Sequence, residues 1–214
     1  MVKLKICGLR RVKDIEVVNK YVPEYIGFVF AKSKRQVSLE EAKILKAKLH
    51  PEIKAVGVFV NESIANVCRC VEERVIDCIQ LHGDEDNNYI VKLKKKVNVP
   101  IIKAFRVGSK EELISKIESL EEAPIDYYLF DTYTASAYGG SGESFDWNKL
   151  KSLVGKQIQK PYFLAGGIGS DNLKEAIAHK PYAIDMSSKL ENNACFKDEN
   201  KIKQIIDIFN EVIE

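Results

Sequence analysis

Short apolar runs rich in β-branched and aromatic residues recur along the whole chain, and polar stretches with helical spacing separate them. The runs are KLKICGL, YIGFVFA, AVGVFV, CIQLHG, PIIKAFRV, YYLFDTY, YFLAGGI and AIDMSS. Most are nearly continuous in hydrophobicity instead of alternating, the signature of strands buried on both faces, as in parallel sheets covered by helices. The stretches between them carry helix starts. SLEEAKILKAKL offers Ser38 as N-cap with Glu41 three residues on, and NESIANVCRCVEE offers Asn61 or Ser63. Eight βα units within 214 residues, spaced about 20 to 35 residues apart, predict an α/β fold of the (β/α)8 TIM-barrel type. No Pro/Gly/Ser-rich linker or composition shift divides the chain, so residues 1–214 are read as one domain. An open doubly wound sheet would need a G-x-G-x-x-G turn after an early strand, and GGSGES and GGIGSDN both miss that spacing and come late. No lysine follows GGSGES, which removes a P-loop as well.

Composition alters this picture little. Hydrophobic residues at 45% and charged residues at 30% suit a globular protein with a sizeable core, and a formal charge of +2 is too small to argue for nucleic acid. The lysines of VKLKKKVNV fall near the end of a predicted helix, where cations complement the helix dipole, and read as a solvated face. The five cysteines, Cys7, Cys68, Cys70, Cys78 and Cys195, have neither the paired spacing of a disulfide framework nor a zinc pattern, which points to a reducing compartment. Cys68 and Cys70 form a CxC, but residues two apart on a helix face different ways and no second pair answers them, so they are read as structural. The N-terminus starts directly on a strand pattern without the features of a signal peptide, and no apolar run approaches the length of a membrane span. A cytoplasmic protein with no membrane partner is expected.

In a (β/α)8 barrel the active site is built from the C-terminal ends of the strands and the loops that follow them. That rim carries Cys7 after strand one, Arg35 after strand two, His82 after strand four, Arg106 at strand five and Asp131 after strand six. A polar residue at one strand end is ordinarily just leaving the core, but five converging on one mouth suggest a reactive centre. Three glycine- or serine-rich turns follow strands six, seven and eight: YGGSGES, AGGIGSDN and DMSSKLE. Glycine lets backbone N–H groups approach an anion, helix N-termini add the positive end of a dipole, and the last two strands are where barrels commonly hold a phosphate. A phosphorylated small molecule is the ligand expected, with Gly140, Ser141, Gly142, Gly166, Gly167, Ser187, Ser188 and Lys189 as its phosphate site.

Taken in order, KICGL, GFVFAKSKR, VGVFVN, QLHGDE, LFDT, GGSGESFDW, LAGGI and DMSSKLE resemble the phosphoribosylanthranilate isomerase family of tryptophan biosynthesis across essentially the entire chain. The resemblance implies an Amadori rearrangement, from the N-phosphoribosyl aminoaldose of anthranilate to the 1-amino-1-deoxyketose, with no metal and no cofactor, in a monomer or homodimer. It implies Cys7 as general base, Asp131 as general acid, Arg35 as contact for the anthranilate carboxylate, and the last three loops as phosphate site. His82 and Arg106 complete the substrate-binding rim. The residue types suit the chemistry, since ring opening needs a proton on the furanose oxygen and the iminium formed acidifies the C2′ proton for a thiolate to remove. Both groups start in the wrong state: a thiol of pKa about 8.5 is mostly protonated at neutral pH, and a carboxyl of pKa about 3.9 is almost wholly ionised.

Three positions depart from the family pattern. Lys189 replaces the usual glycine, leaving the turn after strand eight less free to adopt a positive φ. GGIGSD replaces the commoner Asn-Pro, with Ser170 or Asp171 available to cap the next helix. Glu143 puts a carboxylate in the first phosphate loop, where it would repel the ligand. Two other readings remain: the histidine-pathway sugar isomerase, which resembles an aspartate pair on a half-barrel repeat not visible here, and a catalytically silent barrel that binds a phosphorylated metabolite. A metal hydrolase fits poorly, because His50, His82 and His179 are scattered and only His82 reaches the rim.

Overall fold

The computed structural model describes residues 1–132 and 147–213. Its strands are β1 (Lys3–Cys7), β2 (Tyr25–Val29), β3 (Lys54–Phe59), β4 (Cys78–Leu81), β5 (Ile101–Val107), β6 (Tyr127–Thr132), β7 (Tyr162–Leu164) and β8 (Ala183–Met186). Each pairs in parallel with the next, and β8 returns to β1, so the sheet closes into a barrel in sequence order. The helices that follow are α1 (Val12–Tyr21), α2 (Leu39–Lys46), α3 (Ile64–Glu72), α4 (Asn87–Lys94), α5 (Lys110–Glu118), α6 (Asn148–Lys151), α7 (Leu173–Ala178) and α8 (Glu199–Ile213), with a 3₁₀ turn over Ser188–Leu190. Among the described residues no helix is long and apolar enough to cross a membrane.

Helix starts follow local chemistry. Ser38 caps α2 and closes a reciprocal capping box with Glu41, as the sequence predicts, and Ser109 with Glu112 does the same for α5. Of the two caps proposed for α3, Ser63 is the one used; Asn61 has a φ of 50° and accepts instead from the Asp84 amide at 2.8 Å. Lys92 and Lys94 occupy the last turn of α4, where Lys94 pairs with Asp126 at 2.8 Å, consistent with a solvated helix end. Cys68 and Cys70 are both buried in α3.

The apolar strands fill two layers. Leu4, Ile6, Ile26, Phe28, Ile79 and Phe130 join the layer shared with the helices, while Tyr25, Val56, Cys78, Ile102, Leu129 and Phe163 form a separate cluster within the barrel. At its N-terminal end the hydroxyls of Tyr25 and Tyr127 meet that of Tyr182, to which Lys3 donates at 2.7 Å. The period of two on β1 therefore sends Lys5 and Cys7 the opposite way from Leu4 and Ile6.

A second buried lysine braces the rim. Lys103 of β5 donates to Glu85 at 2.8 Å and to the Gly83 carbonyl at 2.7 Å, and Glu85 in turn accepts from the amides of Gly83 and Asn61. This fully bonded pair ties the loops after β3 and β4 to β5, and those loops flank His82. Lys103→Met would strand the Glu85 carboxylate, so unfolding by denaturant should show a loss of about 3–5 kcal/mol, partly recovered when Glu85→Gln is added.

Candidate active site

A cavity of about 750 Å³ opens at the C-terminal ends of the strands. Cys7, Arg35, His82, Asp131, Gly166, Gly167, Ser187 and Ser188 line it, so most of the positions proposed from the sequence converge there. Arg106 does not: it donates to Asp84 at 2.6 Å and is not among the residues lining the cavity. Gly140, Ser141, Gly142 and Glu143 lie outside the described residues.

Two glycines shape the Cys7 end. Gly27 sits opposite Cys7 in the β1–β2 register, and a Cβ there would lie 2.4 Å from the Cys7 sulfur, so the thiol occupies the space a side chain would take. Gly8 follows with a φ of 85°, a left-handed conformation that glycine adopts freely, and a Cβ there would meet the Arg35 side chain at 2.6 Å. Burial pushes the Cys7 thiol up, against the pull of Lys5 and Lys197. The positive surroundings expected for a reactive cysteine are present, but in the free protein desolvation outweighs them and the thiol form prevails at neutral pH.

Below Cys7, the ammonium of Lys5 is fully buried and donates to Asp185 at 2.7 Å and Gln80 at 2.8 Å, and its charge acts on the Cys7 thiol two residues on. Burial works against that charge, yet Asp185 and Cys7 outweigh it and hold the Lys5 ammonium above the usual range. Gln80 continues to His82 Nδ1 at 2.9 Å, and His82 Nε2 lies 3.4 Å from Asp131. One polar chain thus runs beneath the cavity from the thiol to the carboxyl. Asp185 lines the cavity, and its Oδ1 is buried with no hydrogen-bond partner among the described residues.

Arg35 is oriented by a second network. Its guanidinium makes a bidentate pair with Glu191, at 2.7 and 2.8 Å, and Lys197 donates to the same carboxylate at 2.7 Å and to the Ser187 carbonyl at 3.1 Å. Burial pushes the Glu191 carboxyl up, but the hydrogen bond from Arg35 and the charge of Lys197 more than reverse this and hold it below the usual carboxylate range. Ser187 also donates to the Cys7 carbonyl at 3.1 Å, so the loop after β8 is tied directly to the end of β1.

The phosphate side has its glycines in left-handed conformations, with φ of 91° at Gly166 and 65° at Gly167. Asn172, not Ser170 or Asp171, takes the N-cap position of α7, and its side chain turns back to the Gly169 amide at 2.8 Å and the Gly167 carbonyl at 3.2 Å. Lys189 falls in the 3₁₀ turn and is not among the residues of positive φ, so the replacement of glycine creates no strain. Its side chain packs towards Gly169 and a small separate cavity with Ser170, Lys201 and Gln204, away from the catalytic mouth.

The sequence pattern of the N-(5'phosphoribosyl)anthranilate (PRA) isomerase family matches residues 4–208. The chain belongs to this family. It is 47% identical over 207 residues to the N-(5'-phosphoribosyl)anthranilate isomerase of Clostridium acetobutylicum, covering 96% of this chain and 97% of the relative. The phosphoribosyl anthranilate isomerase of Thermotoga maritima superimposes with a TM-score of 0.86 at 30% identity, over 99% of this chain and 100% of that one. A second structure of that organism's enzyme, of monomers generated from it, describes it as dimeric. A family structure in complex with reduced 1-(o-carboxyphenylamino)-1-deoxyribulose 5-phosphate superimposes with a TM-score of 0.81 at 29% identity, over 96% of this chain and 97% of that one. Membership decides against the histidine-pathway isomerase, and the closed barrel of these structures is the fold expected from the sequence.

Lys5, Gln80, Asp185, Glu191 and Lys197 escaped the reading of the sequence. A signal was available for the first three, since each is a polar residue inside an otherwise apolar strand, in register with a rim residue two positions on. Nothing local marks Glu191 or Lys197.

Two measurements follow from this geometry. Lys189→Ala should raise the KM for substrate by less than about fivefold, since the side chain lies outside the mouth; a loss above about tenfold would return its ammonium to the phosphate. Glu191→Gln should destabilise the protein most above the unfolded carboxyl pKa of about 4.3. The unfolded carboxylate takes up its proton first as pH falls, so the wild-type advantage should shrink through the lower native value, and denaturation midpoints between pH 3 and 7 would trace it.

Proposed function

We propose that the protein converts N-(5'-phosphoribosyl)anthranilate to 1-(2-carboxyphenylamino)-1-deoxyribulose 5-phosphate, the isomerase step of tryptophan biosynthesis. The observation that carries the reading, besides the family, is that a buried thiol and a buried carboxyl, Cys7 and Asp131, line one cavity together with the guanidinium of Arg35 and the loops after β7 and β8.

Asp131 is the general acid. It delivers a proton to the furanose oxygen, the C1′–O bond breaks, and the anilino nitrogen lone pair forms the iminium. Cys7 is the general base: its thiolate removes the C2′ proton that the iminium has acidified, giving an enolamine that tautomerises to the ketone. Arg35, pre-set by Glu191, offers the rest of its fork to the anthranilate carboxylate. The positive-φ glycines and Ser187–Ser188 take the phosphate, with the loop of Gly140–Gly142 as the third side of that site. The charge of the Lys5 ammonium favours the Cys7 thiolate against the burial that opposes it. His82 serves the acid's surroundings, and Arg106 supports the rim through Asp84. The whole chain acts as one domain with one site, on a small phosphorylated substrate, in the cytoplasm, as a monomer or homodimer.

The decisive assay is loss of anthranilate fluorescence from the substrate in the presence of a chelator. Cys7→Ala and Asp131→Asn should each lower kcat by at least about 10²-fold with product-analogue affinity nearly unchanged, as loss of general base or acid catalysis requires. Turnover within about tenfold of wild type in either variant would reduce that residue to a packing or positioning role.

A further inference from the structure

The chain of side chains beneath the cavity fixes more than positions, because its members differ in what they can donate. An ammonium is a donor only. Lys5 contacts Gln80 at 2.8 Å, so the atom Gln80 presents to it is the carbonyl oxygen, and the amide NH2 must face the other way. What it faces is His82 Nδ1, at 2.9 Å. An NH2 group can only donate there, so Nδ1 must be a bare acceptor, and a neutral imidazole with a bare Nδ1 carries its proton on Nε2. Nε2 is the buried ring nitrogen that has no hydrogen-bond partner among the described residues and lies 3.4 Å from Asp131 Oδ2. That separation is long for a hydrogen bond, as catalytic contacts often are before substrate tightens them.

We propose that Lys5, acting through the orientation it imposes on Gln80, locks His82 as the neutral Nε2–H tautomer, and that this lock makes His82 a positioning residue for Asp131. The inference rests on Asp131 being the general acid. A neutral N–H aimed at Asp131 leaves the carboxyl able to hold its proton before ring opening, and it can donate to the carboxylate left behind once that proton has gone. An imidazolium in the same place would favour the carboxylate from the start and empty the acid before substrate needs it. Protonating Nδ1 would set its N–H against the NH2 of Gln80, and turning Gln80 over would set that NH2 against the Lys5 ammonium. The lock is therefore held by a buried charge on β1, three strands away in the barrel. The charged and titratable groups around His82 are Asp131 on β6, Asp185 on β8, Lys5 and Cys7 on β1, and beyond them the Arg106–Asp84 and Lys103–Glu85 pairs at β5.

Nitrogen NMR of histidine-labelled protein tests the lock without any variant and without substrate. At pH 8, where an ordinary imidazole is neutral, His82 should show a protonated Nε2 and a bare Nδ1. A protonated Nδ1 would overturn the proposal. Gln80→Glu then reverses the chemistry: one carboxylate oxygen can still accept from Lys5 while the other accepts from Nδ1–H, so both nitrogens should be protonated at pH 7. With binding of the reduced product analogue retained as a check on folding, kcat at pH 7 should fall at least about tenfold below wild type, and the deficit relative to wild type at the same pH should shrink as pH is lowered, because lower pH restores the proton on Asp131. A Gln80→Glu enzyme with a doubly protonated His82 and kcat within about threefold of wild type, or one whose loss does not change with pH, would refute the role assigned to the lock. Absence of turnover by the wild type would instead count against the proposed function, while the nitrogen spectrum would still decide the tautomer.

Discussion

The charge of Lys5 is the constraint on which the site depends. An ammonium taken wholly out of water costs several kcal/mol, and it is tolerable only if carboxylate and amide partners meet it in good geometry. Those partners come from other strands, Asp185 from β8 and Gln80 from β4, so satisfying one buried charge aligns three strands of the barrel at one level. The side chains two residues further along the same strands are then aligned as well. They are Cys7, His82 and Ser187, which line the cavity. The reactive layer inherits its register from the charged layer below it.

The same logic recurs at the rim. Glu191 is shared between Arg35 and Lys197, and Lys197 reaches on to the Ser187 carbonyl, while Ser187 reaches to the end of β1. The guanidinium proposed for the aromatic carboxylate and the loop proposed for the phosphate are thus ordered by one set of charge-assisted hydrogen bonds. A substrate that is anionic at both ends meets cations and amides whose rotamers are already fixed, which lowers the entropy lost on binding and leaves more of the interaction for the reaction.

This arrangement also bears on the opposed protonation needs that the proposed mechanism places on Cys7 and Asp131. Desolvation favours the neutral thiol, so in the free protein Cys7 needs help to ionise. The Lys5 ammonium works on the other side of that balance: its charge pulls the thiol towards the thiolate, whereas it reaches Asp131 only through two neutral side chains, Gln80 and His82. A single buried cation can therefore favour the thiolate at one end of the cavity without putting a second positive charge against the acid at the other.

The sequence by itself determined the number and order of the strands, the caps of α2 and one of the two caps offered for α3, and the group of residues delivered to one mouth, because all of these follow from local periodicity and from the rule that parallel strands end on the same side. It placed Cys7, Asp131, Arg35 and His82 at that mouth for the same reason. Only the tertiary structure decided what those residues touch. Arg106 lies one residue from the end of β5 yet turns to Asp84, and Lys189 sits in the loop after β8 yet lines a separate small cavity. Lys5 lies in the first apolar run, and the closed barrel puts Asp185, 180 positions away, beside it. A polar residue within an apolar strand marks a buried charge, but nothing local names its partner; only the closing of β8 on β1 brings the two together.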